Sequence, residues 1–355
     1  MNFFTFILWF ILAELLINGI RYIFRLHKIK IWINIIIIIC ELLSSFLLAF
    51  LIMATVIGYW PITPFLVALY AALFVDGFIQ IIYLLMRIFI KKGKRFVLLT
   101  IMSNLSAVIF LTFGMINMQI VKPKYLSYSS SKLENTYKIA FISDMHIGKA
   151  QPINRTIKTI RDIKNKNPDF TFIGGDFVDE FTKEEEMKTA IKEFASFPTP
   201  VYFIRGNHEL TGRIKLEDVE KELTASNIKV VVDEYVTLAS DLTLLGRDDL
   251  DNKNRKKIEE LINPHPSTFL LVIDHQPFDY KNNAKTGMDL QLSGHTHAGQ
   301  LFPLRMLYSL RVPAYGEYRY NSSILNVSSG ASGWYVPFRT EIGCQYEIIT
   351  LSPAK

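Results

Sequence analysis

Five short motifs, each directly after a run of β-forming residues, constrain this chain more than any other feature of its sequence. In order they are Asp144-Met145-His146, Gly175-Asp176-Phe177-Val178-Asp179, Gly206-Asn207-His208-Glu209, Asp274-His275 and Gly294-His295-Thr296-His297. Together they hold five of the seven histidines. An α/β domain collects its reactive groups at strand ends of this kind. Carboxylates, imidazoles and one Asn amide make a mixed N/O ligand set, the set a two-cation hydrolytic centre requires.

The residue types suggest a division of labour. A bridging ligand must be an anion able to give one oxygen to two cations, and Asp176 is the natural candidate. Gly174 and Gly175 let the backbone turn sharply beside it. Asp144 and His146, two apart, point to the same side of an extended segment and can grip one ion together. Asn207 offers a neutral carbonyl oxygen that tempers the charge, and His275, His295 and His297 add imidazole nitrogens. His208 has no evident need to coordinate, so it is placed to stabilise charge or protonate a leaving oxygen. Asp179 reads as a residue that orders a ligand from behind, and Glu209 as a turn residue. Arg205, Asp274, Arg319 and Arg339 are further candidates for shaping a substrate site. Mixed His/Asp/Asn ligation suits Mn, Fe, Zn or Ni, with Mn the first choice.

Around these motifs the pattern is one of short strands and amphipathic helices. Strands are expected at 137–143, 170–174, 201–205, 230–238, 242–246, 269–273, 290–293, 324–328 and 346–351. Ile153, Ile157, Ile160 and Ile163 mark one face of a helix over 152–165, and further helices are expected at 183–196 and 214–226. Strand–helix–strand units early and more continuous strand later predict a two-sheet α/β sandwich with flanking helices over 137–355. Residues 121–136, polar and serine-rich from Lys122 to Lys132, read as a linker.

The first 120 residues have a different chemistry. Four apolar stretches, 3–20, 31–57, 64–90 and 96–120, each reach the ~18 residues of a spanning helix, which predicts an N-terminal α-helical membrane domain. The first lacks the basic start and small-residue cleavage site of a secretory signal. Nine basic residues stand against three acidic ones here, while the remaining 235 residues carry 30 of each. The basic excess therefore belongs to the membrane half and gives no reason to expect a nucleic-acid partner. It sits in two connections, Arg21 to Lys30 and Arg87 to Arg95. By the positive-inside rule these face the cytoplasm, so four spans put the α/β domain on the extracytoplasmic side of the cell membrane. Glu14, Glu41 and Asp76 are costly in hydrocarbon and need partners such as Asn34, Ser44 or Ser45, or a role. Cys40 and Cys344 are too few and too far apart for a disulfide framework or a Cys metal site.

The five motifs in this order resemble those of the calcineurin-like metallophosphoesterase superfamily: D-x-H, G-D-x-x-D, G-N-H-E, H and G-H-x-H. The resemblance runs from about residue 137 to the C-terminus, and the tract Leu290 to Gln300 is particularly like that of bacterial membrane-associated members. It implies that Asp144, His146, Asp176 and His297 hold one divalent ion, that Asp176, Asn207, His275 and His295 hold a second, and that His208 is the acid-side catalytic residue. It further implies a phosphoesterase activated through a water between the two ions. The motifs do not separate monoester, diester and pyrophosphate substrates, and it is the membrane half that points to a phosphorylated small-molecule or lipid-linked substrate of the cell envelope. An alternative is a UDP-2,3-diacylglucosamine pyrophosphate hydrolase of lipid A synthesis, which needs a cytoplasm-facing site. An inactive membrane sensor or scaffold is the alternative of another class. Such a protein is expected to miss one or more ligands, and none is missing here.

Overall fold

The computed structural model describes Ala13 and residues 31–54, 63–86, 95–261 and 263–354. The first expected span, 3–20, lies outside the described residues apart from Ala13, as do the connections at 21–30, 55–62 and 87–94. The chain divides into two compact units: Met1–Asn117 with Leu301–Leu304 and Tyr335–Glu341, and Met118–Gln300 with Arg305–Trp334 and Ile342–Lys355.

The first unit is helical, with α1 (Ile31–Ala54), α2 (Thr63–Met86) and α3 (Arg95–Gln119). Five consecutive isoleucines, Ile35 to Ile39, favour a strand by propensity yet lie in α1. A helix satisfies every backbone group within its own segment, which an apolar run requires wherever water is absent. Large apolar side chains point outward: Trp32, Ile35, Ile39 and Leu43 on α1, Phe78 and Ile82 on α2, and Ile101, Leu105, Ile109 and Phe113 on α3. One described stretch, Ile101–Gln119, is long and apolar enough to cross a membrane, and Ile35–Leu48 and Leu69–Ile82 are shorter apolar segments. Two of the acids expected to need partners, Glu41 and Asp76, share Gln80 of α2, and Asp76 also meets Ser103 of α3; Glu14 lies outside the described residues. Gln80 Nε2 donates to Glu41 Oε2 at 2.7 Å and to Asp76 Oδ2 at 2.8 Å, and Ser103 donates to Asp76 Oδ1 at 2.9 Å. Such side-chain bonds hold apolar helices together where hydrophobic driving force is weak. Phe74 adds an aromatic cluster with Phe46, Phe78, Phe110 and Phe302.

The second unit is a sandwich of two six-stranded sheets with helices outside. The strands in chain order are β1 (Val121–Ser130), β2 (Tyr137–Ile142), β3 (Phe170–Gly174), β4 (Val201–Ile204), β5 (Lys229–Val230) and β6 (Glu234–Ala239). They continue with β7 (Leu242–Gly246), β8 (Phe269–Ile273), β9 (Leu290–Ser293), β10 (Gly316–Tyr320), β11 (Ser323–Val327) and β12 (Cys344–Pro353). One sheet has the order β1-β12-β2-β3-β4-β5 and the other β10-β11-β9-β8-β7-β6. In the first, β2 through β5 run parallel; in the second, β7, β8, β9 and β11 do. Period-two alternation sorts the side chains. Ile139 and Phe141 face the core between the sheets with Phe172, Leu271, Ile273 and Leu292. Ala140 and Ile142 face outward onto helices. There α4 (Ile153–Asn165) contributes Ile160 and Ile163, and α5 (Glu184–Ala195) contributes Met187, Ile191 and Phe194. On α4 the buried face includes Thr156 and Thr159, while Ile157 is only half-buried, so the buried stripe is rotated from the one its isoleucines suggest. Three acids in the first turn of α5, Glu184 to Glu186, lie where the helix dipole favours them.

Two expectations need correction. The polar stretch Val121–Ser130 is a ten-residue strand, not a linker, and pairs parallel with β12. Its Lys122, Pro123 and Lys124 are residues natural edge strands carry to discourage further pairing. The run 230–238, expected as one strand, is two. β5 closes the first sheet and β6 the edge of the second, with Asp233 in a left-handed conformation (φ 46°) where the chain crosses between them.

Candidate metal centre

The parallel strands bring their carboxyl ends to one edge, and the five motifs emerge there. Beyond β2 and β3 the pairing continues into the loops, with Asp144 N donating to Gly175 O and His146 N to Asp176 O, each at 3.0 Å. The loop after β9 docks through His295 N, which donates to Asp144 Oδ1 at 2.9 Å. His208 N, opening the short helix after β4, donates to Asp176 Oδ1 at 2.9 Å. Asp176 is therefore held by backbone on one oxygen, leaving Oδ2 toward the histidines.

The expected residues converge. Three sets have ligand atoms within 4.8 Å of one another: Asp144, His146 and His297; His146, Asp176 and His208; and Asp176, His275 and His295. His146 Nε2 lies 3.3 Å from His297 Nε2, and His275 Nε2 lies 3.0 Å from Asp176 Oδ2. The Asn207 amide oxygen meets His295 Nδ1 at 2.8 Å. Tautomers follow from the back side of two rings. His275 Nδ1 sits 2.8 Å from the Gly174 carbonyl and His297 Nδ1 3.1 Å from the Ser332 carbonyl. A carbonyl only accepts, so each Nδ1 carries a proton and each Nε2 is turned inward. His146 Nδ1, His208 Nδ1 and His275 Nε2 are buried without a hydrogen bond. Clustered imidazole nitrogens and carboxylate oxygens are the donor types a divalent ion takes, so the set suits the ions expected of it.

Backbone strain is concentrated here. Asp144 (φ 54°), His146 (42°), Asp176 (52°), His295 (69°) and His297 (48°) all adopt the left-handed region. Each such residue costs on the order of 1–3 kcal/mol, which persists only where the surroundings over-determine it. Close approach demands glycine at two points. A Cβ on Gly175 (φ 85°) would lie 2.6 Å from His275 Nδ1, and one on Gly294 would lie 2.3 Å from Asp144 Oδ2.

Several supporting residues become visible only in three dimensions. Glu209, expected as a turn residue, is a fully buried clamp whose carboxylate accepts from four backbone N–H groups: Asp176 and Gly206 on Oε2, Phe177 and Val178 on Oε1. Burial and the nearby Asp176 push its pKa up to about 7, while the backbone donors pull toward the ionised form. Asp179 Oδ2 stands 3.6 Å from His146 Nδ1, the position its expected ordering role requires. Glu180 Oε1 lies 3.3 Å from His208 Nδ1. Burial lowers the His208 pKa, but Asp176 and Glu180 outweigh it and raise the imidazole to about 9. Aromatic rings flank two of the histidines: Trp334 beside His208 at 5.7 Å and Phe278 beside His295 at 5.4 Å. Gln300 holds Trp334 by accepting from its N at 2.8 Å and donating to its O at 3.2 Å.

Other candidates fall elsewhere. Arg205 is bound to Glu220 and Asp248, Asp274 to Arg255, and Arg319 to Glu317 on the surface. Arg339 belongs to the first unit.

Comparison with known proteins agrees with this geometry. The family model for calcineurin-like phosphoesterases matches residues 137–299, which include every one of the five motifs. An uncharacterized metallophosphoesterase of Helicobacter pylori is 29% identical over 218 residues, 59% of this chain and 58% of that protein. One from Campylobacter jejuni is 28% identical over 295 residues, 78% of this chain and 76% of its own. A Bos taurus protein named as a transmembrane protein with a metallophosphoesterase domain is 29% identical over 244 residues, 61% of this chain and 53% of its own. The chain thus spans less than two thirds of the Helicobacter and Bos relatives. With the matched segment, the named relatives and the two-sheet architecture in agreement, the chain carries a calcineurin-like metallophosphoesterase domain.

Proposed function

We propose that this protein is a membrane-anchored phosphoesterase whose α/β domain holds two divalent cations and hydrolyses a phosphate ester of the cell envelope or of a lipid-linked substrate. In this reading Asp144, His146, Asp176 and His297 hold one ion, and Asp176, Asn207, His275 and His295 the other. A bound pair of such ions supplies a low-pKa water and neutralises the charge of an in-line phosphoryl displacement. The chain's own groups do the rest. Asp176 would serve both ions through its carboxylate. His208, kept cationic by Asp176 and Glu180, is placed to donate its proton to the leaving oxygen. Trp334 and Gln300 fix one wall beside it. The observation that carries this reading is the convergence of imidazole nitrogens and carboxylate oxygens from five separate loops, in sets whose ligand atoms lie within 4.8 Å of one another.

Purified full-length protein should hydrolyse an aryl phosphomonoester or phosphodiester with Mn²⁺. It should lose that activity in EDTA and regain it on adding the ion back. Hydrolysis unaffected by chelation, or none with Mn, Fe, Zn or Ni, overturns the reading.

Membrane anchoring through four spans is supported by the outward-facing large apolar side chains of α1, α2 and α3 and by the apolar stretch Ile101–Gln119. The basic connections favour an extracytoplasmic catalytic domain. Two reporters fused to the C-terminus separate the possibilities. The extracytoplasmic reading expects alkaline phosphatase to be active there and green fluorescent protein to stay dark. The opposite pair of results places the domain inside.

A further inference from the structure

The strand β7 ends at the same edge as the motif-bearing strands, yet the proposed function uses no residue from it. Its parallel register with β8 pairs Gly246 with Ile273, and Arg247 N donates to Ile273 O at 2.8 Å. The residues following Arg247 therefore emerge level with His275. They are held firmly: Arg205 and Asn252 bind Asp248 Oδ2, Arg255 donates to the Asp248 carbonyl, and Arg247 pairs with Asp233.

Asp249 is fully buried in this loop. Its Oδ1 accepts from Asp251 N and from Gln276 Nε2, each at 2.9 Å. Gln276 directly follows the candidate ligand His275. The other oxygen, Oδ2, is buried with no hydrogen-bond partner. A buried carboxylate oxygen left unpaired costs several kcal/mol and persists where something unrecorded pairs with it. The site groups that act on this carboxyl are His275 and Asp176, and burial with Asp176 opposes its ionisation, raising its pKa to about 6. Asp249 is absent from the sets whose ligand atoms lie within 4.8 Å of one another. It is therefore not one of the clustered ligand groups.

We propose that Asp249 is a further functional carboxylate of this centre, one that strengthens cation binding at the Asp176–Asn207–His275–His295 end through an intervening water rather than as a direct ligand. The inference rests on the two-cation reading above. Its role is one of positioning: Gln276 and Asp251 fix one oxygen so that the other is presented to the ion's hydration sphere. Partners of this kind change metal affinity by about 10–100-fold when removed.

Mn²⁺ titration of the metal-free full-length protein, followed by thermal shift and by bound manganese per chain, tests it. Asp249→Asn keeps an oxygen for Asp251 and Gln276 while removing the charge. It should leave the metal-free protein as stable as the parent or more so, because a buried unpaired charge is gone. It should also weaken half-saturation of one of the two ions by about 10–100-fold. Asp249→Glu, which restores the charge one methylene further out, should recover part of that loss. A purely structural Asp249 predicts the reverse: a metal-free protein that unfolds more readily and a Mn²⁺ half-saturation equal to the parent's. Equal half-saturation in Asp249→Asn, or in Asp249→Ala should the Asn variant not fold, overturns the proposal. A parent protein that takes up no Mn²⁺ overturns instead the two-cation reading beneath it.

Discussion

Replacing Glu209 by Ala should unfold the metal-binding edge of the α/β unit, the largest stability loss expected of any single substitution in this chain. Its carboxylate is the shared acceptor for four backbone N–H groups, from Asp176, Phe177, Val178 and Gly206. All four belong to the loops that carry Asp176 and Asn207. Each buried donor left without an acceptor costs about 1–3 kcal/mol, so four approach the ~5–15 kcal/mol margin of a whole domain. Strain adds to the effect. Asp176 is held at φ 52°, and the clamp on its N–H is part of what holds it there. Thermal unfolding of the metal-free variant should fall by well over ten degrees, and Mn²⁺ should no longer raise it. Glu209→Gln, which keeps one acceptor oxygen but turns an NH₂ toward two of the donors, should fall between. A Glu209→Ala protein that melts within two or three degrees of the parent would remove the clamp from this account.

His208→Ala should lower kcat by about 10²–10⁴-fold, the usual contribution of a positioned general acid, with bound metal per chain unchanged. The contrast with Glu209 separates two proposed roles, one on the leaving group and the other on the scaffold. The ionisation of His208 adds a pH signature. In the metal-free protein Asp176 and Glu180 raise its pKa to about 9, against ~6.5 for an unperturbed imidazole. The stabilisation from these pairings is therefore complete below ~6.5 and is lost as pH rises through about 9. Cations beside Asp176 withdraw part of its charge, so the alkaline limb of activity should lie below the value seen without metal. Glu180→Gln should move both values down. Loss of bound metal in His208→Ala would instead make this histidine a ligand, as its place beside His146 and Asp176 allows.

Much of the site was readable because its residues follow strand ends. The strands at 170–174, 242–246, 269–273 and 290–293 fall where their apolar runs predict. Buried parallel strands are short, continuous and rich in β-formers, so composition alone marks them. The edges were not readable. Val121–Ser130 has a linker's composition because an edge strand is selected for polar, Lys- and Pro-bearing residues, and only its partner β12 makes it a strand. The break at Asp233 was hidden for a related reason: both halves of 230–238 suit a strand, and nothing local says that they join different sheets.

The sequence by itself pointed to a metallophosphoesterase, because the spacing Asp144-x-His146 and the pair His295-x-His297 tie candidate ligand types to adjacent backbone positions. Everything that depends on contacts between distant segments was decided by the tertiary structure. Glu209 looks like any polar residue at the start of a short helix until the loop after β3 supplies its N–H groups. Glu180 gains meaning from His208, and Asp249 from Gln276 and the register of β7 on β8. A ligand is chosen by its own atoms, which the sequence names. A support is chosen by what the fold brings beside it, and that depends on the parallel strands sharing one edge.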